Sequence, residues 1–493
     1  LRSININRMI SKSFIKSSVT YTIIGALPFA SSIFLLPFYG NKNLLSTDDF
    51  GLLAIFIILS ELARILFSFS AESFLGNTYI HYRSDKKNEK KFLGTSFLFL
   101  MFYGSLFTFI LSIAGNLLFG LFYPAKSIEF MPYGLISVIT GFFNGVFKAY
   151  TSHLIFREKP KPYFWSNILH FTLIIVVSVG GLYLFPLSLA GPIWGRFTGA
   201  FATFIWATVF FVRHGNLSWD RNVFKHLVRY SAPIYFHNIL YWIISNIDRY
   251  IILGLLNQSS VAVFDFAIKI TLAIEFLQNG LSAAILPKVF ELWKNKNNES
   301  YGSIEVNKYF HVFTLINLTL IPLYLILIPY LVPVVVNNSD LYQSFPLLPL
   351  LFAGMVARIW YYVLVAPVYY FQKTTILPKV FVVTAVFQIT ATYLMVNLNG
   401  VNGAVVANFI TKILQVSLMF FFVKGFYQFR ANKAKLLYYP LTIIVLLILA
   451  TLLVGQYSAT AVYSFIFIFS VAFAFHTYRK EISISWIKEM LTK

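Results

Sequence analysis

The 493 residues contain no cysteine, so neither a disulfide nor a thiolate metal site is available. Charge is nearly as scarce: 12% of residues are charged, and the 18 acids are outnumbered by 39 bases. Long polar segments are missing as well. No stretch between apolar runs exceeds roughly two dozen residues, too few for a separate catalytic or nucleotide-binding domain. There is no G-x-x-x-x-G-K-S/T phosphate loop, no zinc-type His spacing and no G-x-S-x-G nucleophile turn. These absences speak against an enzyme, call for no cofactor and no metal, and place function among the apolar segments.

Those segments dominate the chain. Hydrophobic residues make up 58% and aromatics 19%, with a mean hydropathy of +0.73; soluble domains of this length do not have that composition. A helix needs about 20 apolar residues to cross the hydrocarbon. Runs of that kind fall near 16–38, 50–74, 93–114, 131–153, 164–185, 187–212, 231–255, 260–285, 309–335, 346–370, 377–398, 401–423, 437–455 and 460–477. Strands of a membrane barrel would alternate polar and apolar, and these runs do not. The expected fold is therefore an all-α polytopic membrane protein of about fourteen transmembrane helices. Pro186 marks the turn between spans five and six, and Gly400, Asn402 and Gly403 mark the turn between eleven and twelve. Arg2, Arg8, Lys12 and Lys16 precede a first span that leads into others, so it reads as a retained anchor.

Loop charge sets the expected orientation. Lys and Arg collect in 83–91, 157–161, 213–229, 288–308, 424–435 and 479–493, whereas the opposite loops hold only Lys42 and Lys126 beside Asp48, Asp49, Glu129 and Asp340. Both termini are thus expected in the cytoplasm. The net charge of +21 records topology and suits anionic membrane lipids; it does not call for nucleic acid. Asp48 and Asp49 resemble the carboxylates of a membrane glycosyltransferase, but a helix cap before span two explains them more simply. His153, His170, His237 and His311 lack ligand spacing and read as ordinary polar positions.

The halves show a repeat. LAGPIWG at 189–195 and VNGAVVA at 401–407 both open a helix after a short turn, with Gly191 and Gly403 separated by 212 residues. DDFGLLAIF at 48–56 and SSVAVFDFA at 259–267 open the second helix of each half at nearly the same offset. Six spans between equivalents preserve orientation, giving a parallel repeat. The expected domains are a six-helix lobe over 1–219, a second lobe over 220–430 with a leading amphipathic segment, and helices 13 and 14 with a cytoplasmic tail over 431–493.

Apart from Lys16 and Lys379 at cytoplasmic span ends, seven bases stand within the spans: Arg64, Lys148, Arg196, Arg249, Lys269, Arg358 and Lys412, staggered in depth. The acids within or near the spans are Glu61, Glu72, Asp248, Asp265 and Glu275. Asp265 and Lys269 share a helix face at i, i+4, as do Glu61 and Arg64 at i, i+3. Two readings stand: the charges lock neighbouring helices, or they line a wet cavity and exchange partners when cargo or ion binds. Lys148 and Glu72 fit snorkelling to the interface. Helices 13 and 14 have uncharged interiors and suit the lipid-facing periphery. More bases than acids suit an anionic cargo, whereas cationic drugs would favour carboxylates.

Residues 227–290 read LVRYSAPIYFHNILYWIISNIDRYIILGLLNQSSVAVFDFAIKI and then LSAAILPKVF. With Pro233, Asp248, Arg249, Val261, Ala262, Phe264, Lys269 and Pro287 in that order, this resembles the start of the second bundle in polysaccharide and O-antigen flippases of the multidrug/oligosaccharidyl-lipid/polysaccharide superfamily. One departure is that span one has no Asp-Arg pair, its cation coming from Arg64 on span two. The resemblance implies two six-helix lobes around a cavity that opens alternately to either side. Its cargo is an isoprenoid-diphosphate-linked oligosaccharide crossing the bacterial inner membrane, with polysaccharide assembly enzymes as partners. On this reading Arg249, Lys269, Arg64, Arg196, Arg358 and Lys412 attract the diphosphate or acidic sugars. Asp248, Asp265, Glu275 and Glu61 pair charges or couple turnover to protons or sodium. Pro28, Pro322 and Pro329 let helices bend. The competing readings are a multidrug cation antiporter on the same fold and a membrane glycan polymerase or ligase.

Overall fold

The computed structural model describes residues 27–122, 129–294, 304–429, 432–454 and 457–478. The start of the first span, Lys126, both chain ends and the tail from 479 lie outside them. The elements are α1 Leu27–Phe34, α2 Leu36–Tyr39, α3 Thr47–Ser68, α4 Ala71–Asn77, α5 Tyr79–Tyr82, α6 Lys86–Phe122, α7 Tyr133–Phe156 and α8 Pro160–Leu184. They continue with α9 Ala190–His214, α10 Arg221–Leu255, α11 Gln258–Lys294, α12 Ile304–Val335, α13 Leu348–Tyr370, α14 Ile376–Val423, α15 Tyr439–Leu453 and α16 Ala459–Tyr478. A 3-10 turn over Ser339–Leu347 precedes α13, and a π turn over Ala434–Tyr438 precedes α15. No strand occurs among the described residues.

Each expected crossing falls on helix, the first only in part and the second divided between α3 and α4 at Phe69 and Ser70. Crossings eleven and twelve are the two limbs of α14, which breaks at Asn399 and Gly400. Gly400 has φ +55 and ψ −138, a conformation open to glycine alone, while a Cβ there would meet only Leu256 at 3.9 Å. Conformation rather than space demands glycine. Nine of the described helices are long and apolar enough to span a membrane by length and composition. α7, α10 and α11 are long enough, at 24, 35 and 37 residues, but do not join them. Their polarity is the reason, since α10 and α11 carry Asp248, Arg249, Asp265, Lys269 and Glu275. The chain is a multi-pass membrane protein.

Two compact units emerge: 1–242 with 336–338, and 243–335 with 339–493, the division falling inside α10. In the first unit, glycine stripes take the place of bulky packing, because lipid supplies no hydrophobic drive for helices to associate. On α9, a Cβ at Gly191 would sit 2.6 Å from the Gly181 carbonyl carbon, and one at Gly195 would sit 2.1 Å from Ser178 Oγ. On α7, Gly141 lies equally close to the backbone oxygen of Ser60 on α3. In the second unit Gly403 packs on the Met395 carbonyl, the counterpart of Gly191 on Gly181. The repeat thus uses glycine for the same close approach in both halves.

The Asp48–Asp49 pair resolves as a cap. Ser46 is the N-cap of α3: its Oγ accepts from the Asp49 N–H at 3.0 Å and donates to Asp49 Oδ2 at 2.6 Å. At the other end of the chain, α15 and α16 join the second unit through Tyr439, whose hydroxyl meets Ser470, and through Ser470 Oγ, which donates to the Leu318 carbonyl at 2.7 Å. Trp360 Nε1 donates to the Leu436 carbonyl at 2.6 Å. Pro322, Pro329 and Pro333 lie inside α12. Each removes one backbone donor from the helix.

Candidate functional site

The second unit gathers a buried ionic cluster where α10 meets α11. Asp265 accepts from Arg249 Nε at 3.1 Å on one oxygen and from Lys269 Nζ at 2.7 Å on the other. The i, i+4 step on α11 brings Lys269 over Asp265, whereas Arg249 reaches it from the next helix. Arg249 is also fixed by its own α10: its Nη1 donates to the Ser245 carbonyl at 2.7 Å, and its guanidinium lies 5.5 Å from the Phe264 ring centre. Two bases therefore share one carboxylate.

Asp248, the neighbour of Arg249 in sequence, faces elsewhere. It is fully buried, and uncharged donors surround it. Thr392 Oγ1 donates to Oδ1 at 2.7 Å, Gln388 Nε2 donates to the same oxygen, and Asn408 Nδ2 donates to Oδ2 at 3.3 Å. Gln388 and Thr392 stand at i, i+4 on the first limb of α14, and Asn408 on the second, so the break at Gly400 folds both limbs onto one carboxylate. Gln388 Oε1 and Asn408 Oδ1 are buried without a hydrogen-bond donor. The acid is thus ringed by side-chain donors, and the amide oxygens of Gln388 and Asn408 lie on the far side of their amide groups from it.

A third group lies farther along the same unit. Arg358 Nη1 of α13 meets Glu275 Oε1 of α11 at 2.7 Å, with Tyr362 5.4 Å beneath the guanidinium. Lys412, on the second limb of α14, lies in the field of Arg358, Glu275 and Asp248. Gly354 gives it room: a Cβ there would be 2.9 Å from Lys412 Cδ and 3.2 Å from Nζ.

The first unit carries a smaller set. Arg64 Nη2 is 3.7 Å from Glu61 on the same helix face, and Nη1 is 4.0 Å from Glu72 on α4. The helix is interrupted between them, with Phe69 and Ser70 in the left-handed region at φ 48 and 54. Ser70 is held there by Asn238, whose Nδ2 donates to Ser70 Oγ at 3.0 Å. Arg196 lines a small cavity with Ser60, Ser137 and Thr140, and its Nε is buried without a hydrogen-bond partner. Lys148 is exposed on α7.

Residues 43–338 match the family model described as "Polysaccharide biosynthesis protein". The chain belongs to the polysaccharide biosynthesis protein family. The match covers α3 to α12, and so includes Asp248, Arg249, Asp265 and Lys269; no curated protein sequence matches significantly. The fold extends the likeness to nearly the whole chain. A lipid II flippase, MurJ, in an inward closed conformation is similar over 95% of this chain and 100% of its own, at 15% identity and a TM-score of 0.71. An inward-facing multidrug resistance MATE transporter covers 84% of this chain and 99% of its own, at 15% identity and 0.67. An outward-facing MATE transporter covers 85% and 96%, at 14% identity and 0.56. This family member therefore has the fold of the multidrug/oligosaccharidyl-lipid/polysaccharide superfamily, with two six-helix lobes in parallel repeat and two additional C-terminal helices.

For this family member, three site residues escaped the reading of charge alone. Gln388, Thr392 and Asn408 carry no formal charge, yet they determine where Asp248 sits. The available signal was an i, i+4 pair of polar side chains in an otherwise apolar span, followed by another polar residue in the next.

Proposed function

We propose that the chain flips a lipid-linked oligosaccharide across the cytoplasmic membrane by alternating access, in the assembly of surface polysaccharide such as O-antigen. Membership of the polysaccharide biosynthesis family supports this direction, as does the occurrence of this fold in inward-facing and outward-facing forms. The observation that carries it is the buried cluster in which Arg249 and Lys269 share Asp265. A diphosphate leaving water needs fixed positive charge to replace its hydration, and arginine and lysine held by one acid can exchange that acid for phosphate oxygens. Arg358 and Lys412 in the same unit, and Arg64 and Arg196 in the other, are proposed as further cargo contacts. The cargo moves without covalent change, so the activity is transport and not catalysis.

Asp248 is the proposed coupling residue, with Glu275, Asp265 and Glu61 serving in charge pairing. A buried carboxylate held by a threonine hydroxyl and two side-chain amides is suited to an exchangeable proton, or to sodium once the amides turn their oxygens toward it. The proposed setting is the bacterial inner membrane, with both termini cytoplasmic and with polysaccharide assembly enzymes supplying and consuming the cargo.

The test is reconstitution of the full chain in proteoliposomes with a fluorescent isoprenoid-diphosphate oligosaccharide, alongside surface-glycan display in cells. Arg249→Gln and Lys269→Gln should abolish both while leaving insertion intact. Unchanged glycan display in these variants sinks the proposed role. A multidrug antiporter would instead confer drug resistance with no effect on glycan. Incorporation of labelled sugar by the purified chain would mark a polymerase or ligase.

A further inference from the structure

Away from these clusters, the first unit carries a second concentration of bases where α7 and α9 end and α8 begins. An open groove of about 680 Å³ lies there, with Tyr150, Trp206 and Phe210 on its floor and Arg157, Lys159 and Arg213 around it. The geometry follows from register. Arg157 follows Tyr150, and Arg213 follows Trp206, by the same seven residues on helices that both end at this side. The bases thus stand roughly 10 Å along the helix axes from the aromatic pair. Trp206 Nε1 donates to the hydroxyl of the buried Tyr150 at 3.0 Å, which fixes the indole in place. Trp206 is 40% exposed, an uncovered aromatic surface in a chain that lives in lipid. Among the described residues the acid paired with these bases is Glu89, 3.7 Å from Arg157, and Glu158 stands between Arg157 and Lys159 in sequence.

We propose that this groove holds one anionic glycerophospholipid of the adjoining leaflet. Its phosphate sits among Arg157, Lys159 and Arg213, and an acyl chain runs along Trp206 and Phe210. A soluble anion would satisfy the bases but leave the aromatic floor bare. A bilayer lipid carries its phosphate and its chain at the separation that the helix register sets. Selectivity for an anionic headgroup follows from the charge balance. A zwitterionic lipid brings its own ammonium against Lys159 and Arg213, whereas each base close to a membrane surface favours anionic lipid by about fivefold.

The test uses the full chain in nanodiscs and fluorescence quenching by brominated lipid. The signal of Trp206 is isolated as the difference between the native chain and Trp206→Phe. Brominated phosphatidylglycerol should quench that component at mole fractions about tenfold lower than brominated phosphatidylcholine. The double variant Lys159→Gln, Arg213→Gln, which keeps the Arg157–Glu89 pair, should erase the difference with an unchanged melting temperature. Equal quenching by the two lipids in the native chain overturns the proposal, and so does a preference that survives in the double variant. Loss of the preference on adding millimolar inorganic phosphate, at constant ionic strength, would assign the site to a soluble anion instead.

Discussion

Replacing Asp265 by Asn removes the acid that two bases share, and the cost can be worked from the geometry. Arg249 and Asp265 are 5% and 4% exposed, so the arginine keeps little hydration when its partner is lost. Breaking a buried ion pair from one side costs about 3–5 kcal/mol. Set against a total stability of about 5–15 kcal/mol, that is a large fraction. Lys269→Met is the contrasting change. It leaves the Arg249–Asp265 contact at 3.1 Å and removes the more exposed of the two bases, so its cost should be nearer 1–2 kcal/mol, about that of one charged hydrogen bond. In the double variant the cluster keeps one base, Arg249, with the Ser245 carbonyl and the Phe264 ring still beside it. The double should therefore be more stable than the sum of the singles predicts, by about 1–2 kcal/mol.

Thermal unfolding in detergent, followed by the fluorescence of the 8 tryptophans, supplies the readout. Asp265→Asn should melt far below the native chain, Lys269→Met close to it, and the double between the two. An additive cycle, or an Asp265→Asn variant as stable as the native chain, refutes the coupling. The same set separates a lock from a transport site. If Lys269→Met keeps its melting temperature and loses flipping in proteoliposomes, the lysine is used by cargo. If it keeps both, the lysine only packs.

Asp248→Asn should leave insertion intact but remove any dependence of flipping on a sodium or proton gradient, measured by imposing each gradient in turn; retained dependence on either gradient would exclude Asp248 as the coupling residue. Gly354→Val places carbon against Lys412 Cδ and Nζ, so flipping should fall while Gly354→Ala loses less; equal activity in the two variants would mean the lysine position is unimportant. Gly400→Ala forces a Cβ into φ +55, ψ −138, which should cost about 1–3 kcal/mol in the unfolding assay. Asp220 caps α10: its carboxylate takes the N–H groups of Val223 and Asn222 and sits beside Lys91, and these contacts hold its pKa below the usual carboxylate value. Stability from a depressed carboxylate is complete above the unfolded pKa of about 4 and is lost as pH falls through the folded value. The melting temperature of the native chain should therefore drop below pH 4 more steeply than that of Asp220→Ala, which starts lower by about 1 kcal/mol. Parallel pH curves would exclude the cap.

What could be read before any coordinates was whatever depends on one helix at a time. The fourteen crossings, the break near Gly400 and the contacts Asp265–Lys269 and Glu61–Arg64 all follow from run length, turn residues or a spacing of three to four. Contacts between helices did not follow, and the reason is rotational. A surface helix of a soluble protein shows an apolar stripe that fixes which face turns inward. Helices that are apolar nearly all round, such as α13 and α14, carry no such stripe, so apolar patterning alone does not give the approach of Arg358 to Glu275 or of Gln388 and Thr392 to Asp248. Asp248 and Arg249 are adjacent in sequence yet meet different partners. Consecutive positions on a helix point about 100° apart, so one of them reaches α11 and the other reaches α14. The informative residues in such spans are uncharged polar ones, because hydrocarbon tolerates them only where a partner waits. Gln388, Thr392 and Asn408 mark an inward face as surely as a charge does, and read together with Lys412, four residues beyond Asn408, they orient both limbs of α14 toward Asp248.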